Sequence, residues 1–421
     1  MDKFAAEFLA REHLESTRRY FLQFAVAGFT SLPWWADAAD ENQLLQAIEK
    51  LGNYLTPSEK FRNVERHKPL PYKRPLEERL ELGLDRKTWE LDVIADPESN
   101  SVIGNPMSKE LGNALDFKTL MAMAETKAVR YLKIMTCNNL DDPLGMGLWE
   151  GVPLRDVIWL TKPEKNIRRL FYRGYHNENP KQIFQSSLSI GRVLEDPPSH
   201  PPVILCTKMN GEWLSGERGG PVRMIVPESY GYKSVKWIEK IYLTNNHQAN
   251  DTYAKANNDI DSHMKSYARI LKWPKEKSVK AGESFPLTGV AQSGMSGLKK
   301  VQYWISSKAE ELPEDDHYFT QGNWKDAQIL PPPDHWGNSL RDGKLPEIPL
   351  QFDEDGTPLV WPPVYTIAHW AVLIPGIEKA GEYEVFVRTI DRNDVAQPMP
   401  RPFDKSGGNQ IQWVPLNVTS A

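Results

Sequence analysis

Proline occurs 33 times in the 421 residues, a density that disfavours a bundle of long helices because each proline removes a backbone donor and fixes φ. Fourteen tryptophans add large anchors with a polar edge, so the chain reads as loop-rich, strand-containing and pinned by buried aromatics. With 40% apolar residues the length suffices for two ordinary cores. The formal net charge of −5 gives no broad basic footprint, which excludes a general nucleic-acid binder and leaves any cationic chemistry local. Two cysteines, Cys137 and Cys206, cannot build a disulfide framework, an all-cysteine zinc site or an iron–sulfur cluster. No Cys-x-x-Cys-His occurs, so covalent c-type haem within the chain is excluded.

Hydrophobic spacing divides the chain. Residues 42–51 are apolar at helical spacing, and Leu55-Thr56-Pro57 stops that helix. Residues 61–85 form an irregular basic segment. Short strands at 89–94, 129–135, 168–172, 203–206 and 241–243 alternate with short helices at 117–126 and 154–160, the pattern of one mixed α+β domain. Beyond a boundary at 273–277 the pattern turns to strands at 285–290, 299–306, 371–374, 383–389 and 411–416, which suggests a β-sandwich. Residues 310–369 are acidic and rich in proline and tryptophan, and read as an insertion without an assigned role. No transmembrane segment appears.

Near the start, Ser16-Thr17-Arg18-Arg19-Tyr20-Phe21-Leu22-Gln23 resembles a twin-arginine export signal, with the modestly apolar Phe24-Ala25-Val26-Ala27-Gly28-Phe29 behind it and Ala36-Asp37-Ala38 as a cleavage site. The expectation is removal of residues 1–38 and a periplasmic mature protein. That route carries folded proteins, so it suits a cofactor inserted before export.

Cys137 stands in Met135-Thr136-Cys137-Asn138-Asn139 at the end of an apolar strand. Trp149-Glu150-Gly151-Val152-Pro153-Leu154 follows, and then Arg218-Gly219-Gly220-Pro221-Val222-Arg223 and Lys233-Ser234-Val235-Lys236-Trp237. A thiolate is a soft transition-metal ligand, and arginine and lysine beside tight glycine turns suit a phosphorylated organic cofactor. In order and spacing these blocks resemble the sulfite oxidase family of molybdopterin-dependent oxidoreductases. Upstream, Leu55-Thr56-Pro57, Phe61-Arg62-Asn63 and Arg66-His67-Lys68-Pro69-Leu70-Pro71 are similar to a further segment of that family.

The resemblance implies residues 39–272 as a molybdopterin-binding domain and 273–421 as an immunoglobulin-like β-sandwich of the dimerisation type. Cys137 would be the molybdenum ligand, with Arg66 (or Arg62) and Tyr267 (or Tyr253) acting on substrate. His67, Arg218, Arg223, Ser234, Val235 and Lys236 would hold the pterin cofactor. Cys206 keeps a core role, and the two cysteines stay apart. Arg218 stands where the family commonly has histidine. After the cysteine, the family's Cys-Ala-Gly-Asn-Arg-Arg, whose last arginine helps bind sulfite, is here Cys137-Asn138-Asn139-Leu140-Asp141-Asp142, with two carboxylates in place of two guanidinium groups, which should weaken binding of a dianion. The resemblance makes sulfite the first substrate expectation, and the altered segment makes a sulfoxide such as methionine sulfoxide the second. Electrons would pass to a separate cytochrome c or haem subunit, with no nucleic-acid partner, and the chain would be a homodimer. A rival of another class is a cofactor-free periplasmic binding or structural protein.

Overall fold

The computed structural model describes residues 38–64, 68–137, 143–175, 179, 183–249, 251–252, 260–274, 277–310, 316, 319–320, 322–397 and 409–420. The export segment to residue 37, the motif residues Arg66 and His67, the alternative Tyr253 and residues 138–142 lie outside them.

Helix α1 (Ala38–Glu49) overlaps the helix expected at 42–51, beginning earlier and ending two residues sooner. Its Leu44 packs with Leu330, Ala371 and Leu373, so it joins the C-terminal body, not the domain that begins at residue 39 in the sequence reading. A short α2 (Leu76–Glu81) leads into the first sheet, β1 (Glu90–Ala95), β2 (Leu115–Asp116), β5 (Arg169–Gly174), β6 (Gln185–Ser189) and β10 (Ile238–Thr244) in the order β2-β1-β10-β5-β6. Only the β1–β10 pairing is parallel. Helix α3 (Phe117–Lys127) starts where the Asp116 carboxylate accepts the Thr119 amide at 2.7 Å, a regular N-cap. With α4 (Leu154–Leu160) and α5 (Ile190–Leu194) it supplies Leu120, Val157, Ile158 and Val193 to a core shared with Leu91, Val93, Leu170, Ile241 and Leu243.

The second sheet holds β3 (Val129–Met135), β4 (Gly145–Pro153), β7 (Ile204–Met209) and β8 (Glu212–Trp213), with β9 (Arg223–Ile225) also paired to β7. Every residue of β4 is buried. Its Gly151 sits where a β-carbon would lie 2.2 Å from the Leu205 carbonyl oxygen, so the β4–β7 bulge admits only glycine. These elements form the expected α+β domain.

The C-terminal body is one curled eight-stranded sheet. Its strands are β11 (Tyr267–Lys272), β12 (Ser278–Lys280), β13 (Phe285–Gln292), β14 (Lys300–Ser307), β15 (Lys325–Ile329), β16 (Ile367–Ile374), β17 (Gly381–Ile390) and β18 (Gln412–Thr419), in the order β11-β13-β16-β15-β14-β17-β18-β12. The Ala268 and Ile270 amides at one edge reach the side-chain oxygens of Gln397 and Gln412, which draws the far end of the sheet back over β11. Trp370 and Leu287 fill the enclosed core. Because β11 pairs with β13, this sheet begins ahead of the 273–277 boundary.

The acidic insertion has a structural role that sequence did not suggest. It contributes β15 and then runs along the outer edge of β3, which has no partner strand on that side among the described residues. The Leu350 amide donates to the Arg130 carbonyl at 2.9 Å. The Gln351 side chain acts as a stand-in peptide, accepting from the Leu132 amide at 2.9 Å and donating to the Leu132 carbonyl at 2.8 Å. The Ile134 amide donates to the Tyr365 carbonyl at 2.8 Å. An edge that would otherwise present bare backbone is thus closed over three alternate residues.

Candidate active site

Strand β3 delivers Cys137 to a partly exposed position two residues past its end, while Cys206 is fully buried in β7 and the two form no disulfide. Burial pushes the Cys206 thiol up to about 12, the behaviour of a core cysteine, as expected. Gly231 opens the turn before Ser234, and its amide donates to the Thr136 carbonyl at 2.7 Å. One residue from the thiol, that bond joins the Cys137 strand to the cationic block.

Within that block the buried Arg223 donates to the Arg218 carbonyl at 2.9 Å and the Ser234 carbonyl at 2.7 Å. Arg218, equally buried, donates to the carbonyls of Arg62 and Phe61. Lys236 reaches the Glu217 carbonyl at 2.8 Å and the Asn63 side-chain oxygen. Gly219, at φ +96°, makes the approach possible, since a β-carbon there would meet Lys236 Cβ at 2.7 Å. The segment around Phe61 and the distant Arg218–Lys236 block therefore form one structure. The Arg62 amide bonds the Leu144 carbonyl at 2.8 Å, across from the strand end that bears Cys137.

Four of the expected cofactor residues, Arg218, Arg223, Ser234 and Lys236, are brought together. Val235 is buried beside them, its carbonyl accepting from the Met224 amide at 2.9 Å, and the Ser234 hydroxyl is engaged by the Val226 amide at 3.1 Å. Lys233, part of the same cationic run, turns inward instead. It is 1% exposed, donates to the Ser187 carbonyl at 2.8 Å and lies 3.4 Å from the buried Asp251 carboxylate. Tyr267 opens β11 in the C-terminal sheet, paired with Gln292 and with the Arg269 guanidinium 5.4 Å from its ring centre.

Sequence reasoning missed three features. Phe61 and Trp149 meet edge to face at 6.0 Å, with Arg218 5.0 Å over the first ring and Arg223 5.4 Å over the second, an aromatic wall behind both guanidinium groups. Lys133 is fully buried, bonding the Ile134 and Ser229 carbonyls, each at 3.1 Å, and burial lowers it to about 7. Its place in the strand alternation with Tyr131 and Met135 was the available signal. Glu228, buried and gripped by Arg192 through both carboxylate oxygens at 2.8 and 2.9 Å, was given no role.

These residues fit an anionic, metal-carrying organic group. Arg223 has no carboxylate partner among the described residues, and the Nε–H donors of both Arg218 and Arg223 are buried without an acceptor there. Burial pulls Arg223 down to about 10 and also lowers Arg218, where the nearby Glu217 carboxylate offsets part of the effect. A phosphate would supply the missing acceptors and charge, and Cys137 the soft donor for a metal.

The fold and this cleft thus define a cofactor-binding oxidoreductase domain of α+β type. Residues 85–252 match the family model described as the oxidoreductase molybdopterin binding domain. The chain is also similar to curated sulfite oxidase and nitrate reductase sequences. It is 26% identical over 320 residues to the mitochondrial sulfite oxidase of Drosophila melanogaster, covering 70% of this chain and 51% of that one. It is 35% identical over 287 residues to the NADPH nitrate reductase of Leptosphaeria maculans, covering 64% of this chain and 31% of that one. The chain spans no more than about half the length of either curated relative. The sulfane dehydrogenase SoxCD of Paracoccus pantotrophus has the same fold over 94% of this chain and 95% of its own, with a TM-score of 0.54 at 14% identity. Among the described residues no helix is long and apolar enough to cross a membrane.

Proposed function

We propose that this protein is a periplasmic molybdenum oxidoreductase that oxidises a small sulfur oxyanion, sulfite first, and passes electrons singly to a separate cytochrome or haem subunit. The observation that carries the reading is the Gly231–Thr136 bond, which ties the residue before Cys137 to the turn whose Ser234 carbonyl is gripped by the buried Arg223. When bound, the molybdenum–pterin group supplies two-electron oxygen-atom exchange. Cys137 holds the metal as a thiolate. Arg218, Arg223 and Lys236, with Ser234, Val235 and His67, hold the pterin and its phosphate. Trp149 and Phe61 exclude water from the guanidinium groups and so strengthen their grip. Arg66 or Arg62 orients the substrate anion, with Tyr267 or Tyr253 beside it. Oxidation of sulfite takes one oxygen from water and releases two protons and two electrons.

A second reading, reduction of a sulfoxide of the methionine sulfoxide type, is favoured by Asp141 and Asp142, which replace guanidinium groups where a dianion would bind. Export by the twin-arginine route, and a homodimer formed through an immunoglobulin-like C-terminal domain, complete the proposal.

Metal analysis and turnover test it. Purified protein should carry about one molybdenum per chain, lost or at least about tenfold reduced in Cys137→Ser. Sulfite with cytochrome c, set against methionine sulfoxide with a reduced dye, separates the two readings. Native material without molybdenum would return the chain to the cofactor-free class.

A further inference from the structure

The insertion carries a second surface of interest. Between residues 347 and 360, Ile348, Leu350, Leu359 and Val360 are 50%, 48%, 65% and 39% exposed, a concentration of large apolar side chains in one short stretch. They are held as a compact loop. Phe352 bridges Pro358, the Leu359 amide reaches the Gln351 carbonyl at 2.9 Å, and the Asp353 carboxylate caps the turn by accepting from the Thr357 amide at 2.8 Å. Phe352, Gln351 and Trp361 anchor the loop in the protein beneath, so the exposed residues do not sink into a core. Glu354 and Asp355 are exposed in the same loop, Glu347 is ion-paired with Arg130, and residues 345–361 contain no lysine or arginine.

We propose that this loop is the docking surface for a small redox protein with a basic face around an apolar centre. The proposal rests on the reading above, that the site releases electrons to an external carrier, and names where that carrier binds. An apolar patch with an acidic rim repels a second copy of itself but matches a cationic rim, which steers encounter and fixes orientation. The surface is mounted on the insertion that grips β3 at Arg130 and Leu132, in the strand that leads on to Cys137. Each docking removes one electron, so two carriers are reduced for every substrate molecule oxidised.

The test uses the full chain and oxidised basic cytochrome c in a calorimetric titration at low and at physiological salt. Leu359→Asp should weaken binding by about tenfold or more, and Glu354→Lys with Asp355→Lys should do the same while flattening the salt dependence. Circular dichroism and ferricyanide-coupled turnover of the variants should match wild type, which separates lost docking from lost fold. Wild-type binding that is absent, or that all variants retain, overturns the proposal. So does sedimentation showing a wild-type dimer that Leu359→Asp dissociates, since the patch would then serve self-association. Binding does not require turnover: protein without molybdenum that still shows these effects sinks the functional reading and leaves the docking surface standing.

Discussion

The amide of Gly231 lies 2.7 Å from the carbonyl of Thr136, and so little space separates the two backbones that a β-carbon on Gly231 would sit 3.0 Å from that oxygen and 3.2 Å from Met135 Sδ. The turn leading to the arginine-gripped Ser234 is thereby held against the residue preceding Cys137. Gly231→Val should force them apart, costing about 1–3 kcal/mol in urea unfolding and lowering molybdenum content, with a smaller loss for Gly231→Ala.

Arg223 exposes a sign difference between loaded and empty protein. Without cofactor, Arg223→Met removes an uncompensated buried cation along with two hydrogen bonds, so its stability should stay within about 1 kcal/mol of wild type. With cofactor the same change should lower the melting temperature and release the pterin. Thermal scans of both forms, with pterin fluorescence on the filtrate, check this.

Lys133 makes stability depend on pH. Its folded value of about 7 lies below the usual lysine value, because burial disfavours the charged form. Below pH 7 both folded and unfolded chains hold the proton, and the full cost of burying the cation is present. Between pH 7 and the unfolded value the unfolded chain binds more protons, so this cost is relieved as pH rises. Lys133→Met should therefore outperform wild type by about 2–3 kcal/mol more at pH 6 than at pH 9, in paired denaturant titrations.

Gln351→Ala would strip one donor and one acceptor from the Leu132 backbone, both buried. The expected loss is about 2–4 kcal/mol, with amide exchange at Leu132 rising far more than at β4. Gln351→Glu should restore only the acceptor half and recover part of the stability.

Strands and helices were legible where burial imposes a clean period. β3 and α4 fall on the residues read from sequence, each a short and mostly apolar run. β10 is longer than its apolar kernel at 241–243, since pairing with β1 and β5 on both sides extends it through Glu239 and Lys240. The cationic block was legible as chemistry but not in its division of labour. Arg223 and Lys233 look equivalent in sequence, and Asp251, distant along the chain, turns Lys233 inward. Gln351 gave no signal, because an amide in a proline-rich acidic stretch announces no partner. Its role exists only once β3 presents a bare edge.

That closure gives the acidic segment a protective duty apart from any chemistry. Shortening it between residues 345 and 365 would leave the cysteine-bearing ribbon open to annex strands from neighbouring molecules. Such deletions would then surface first as insoluble protein, before any assay could ask what the metal does.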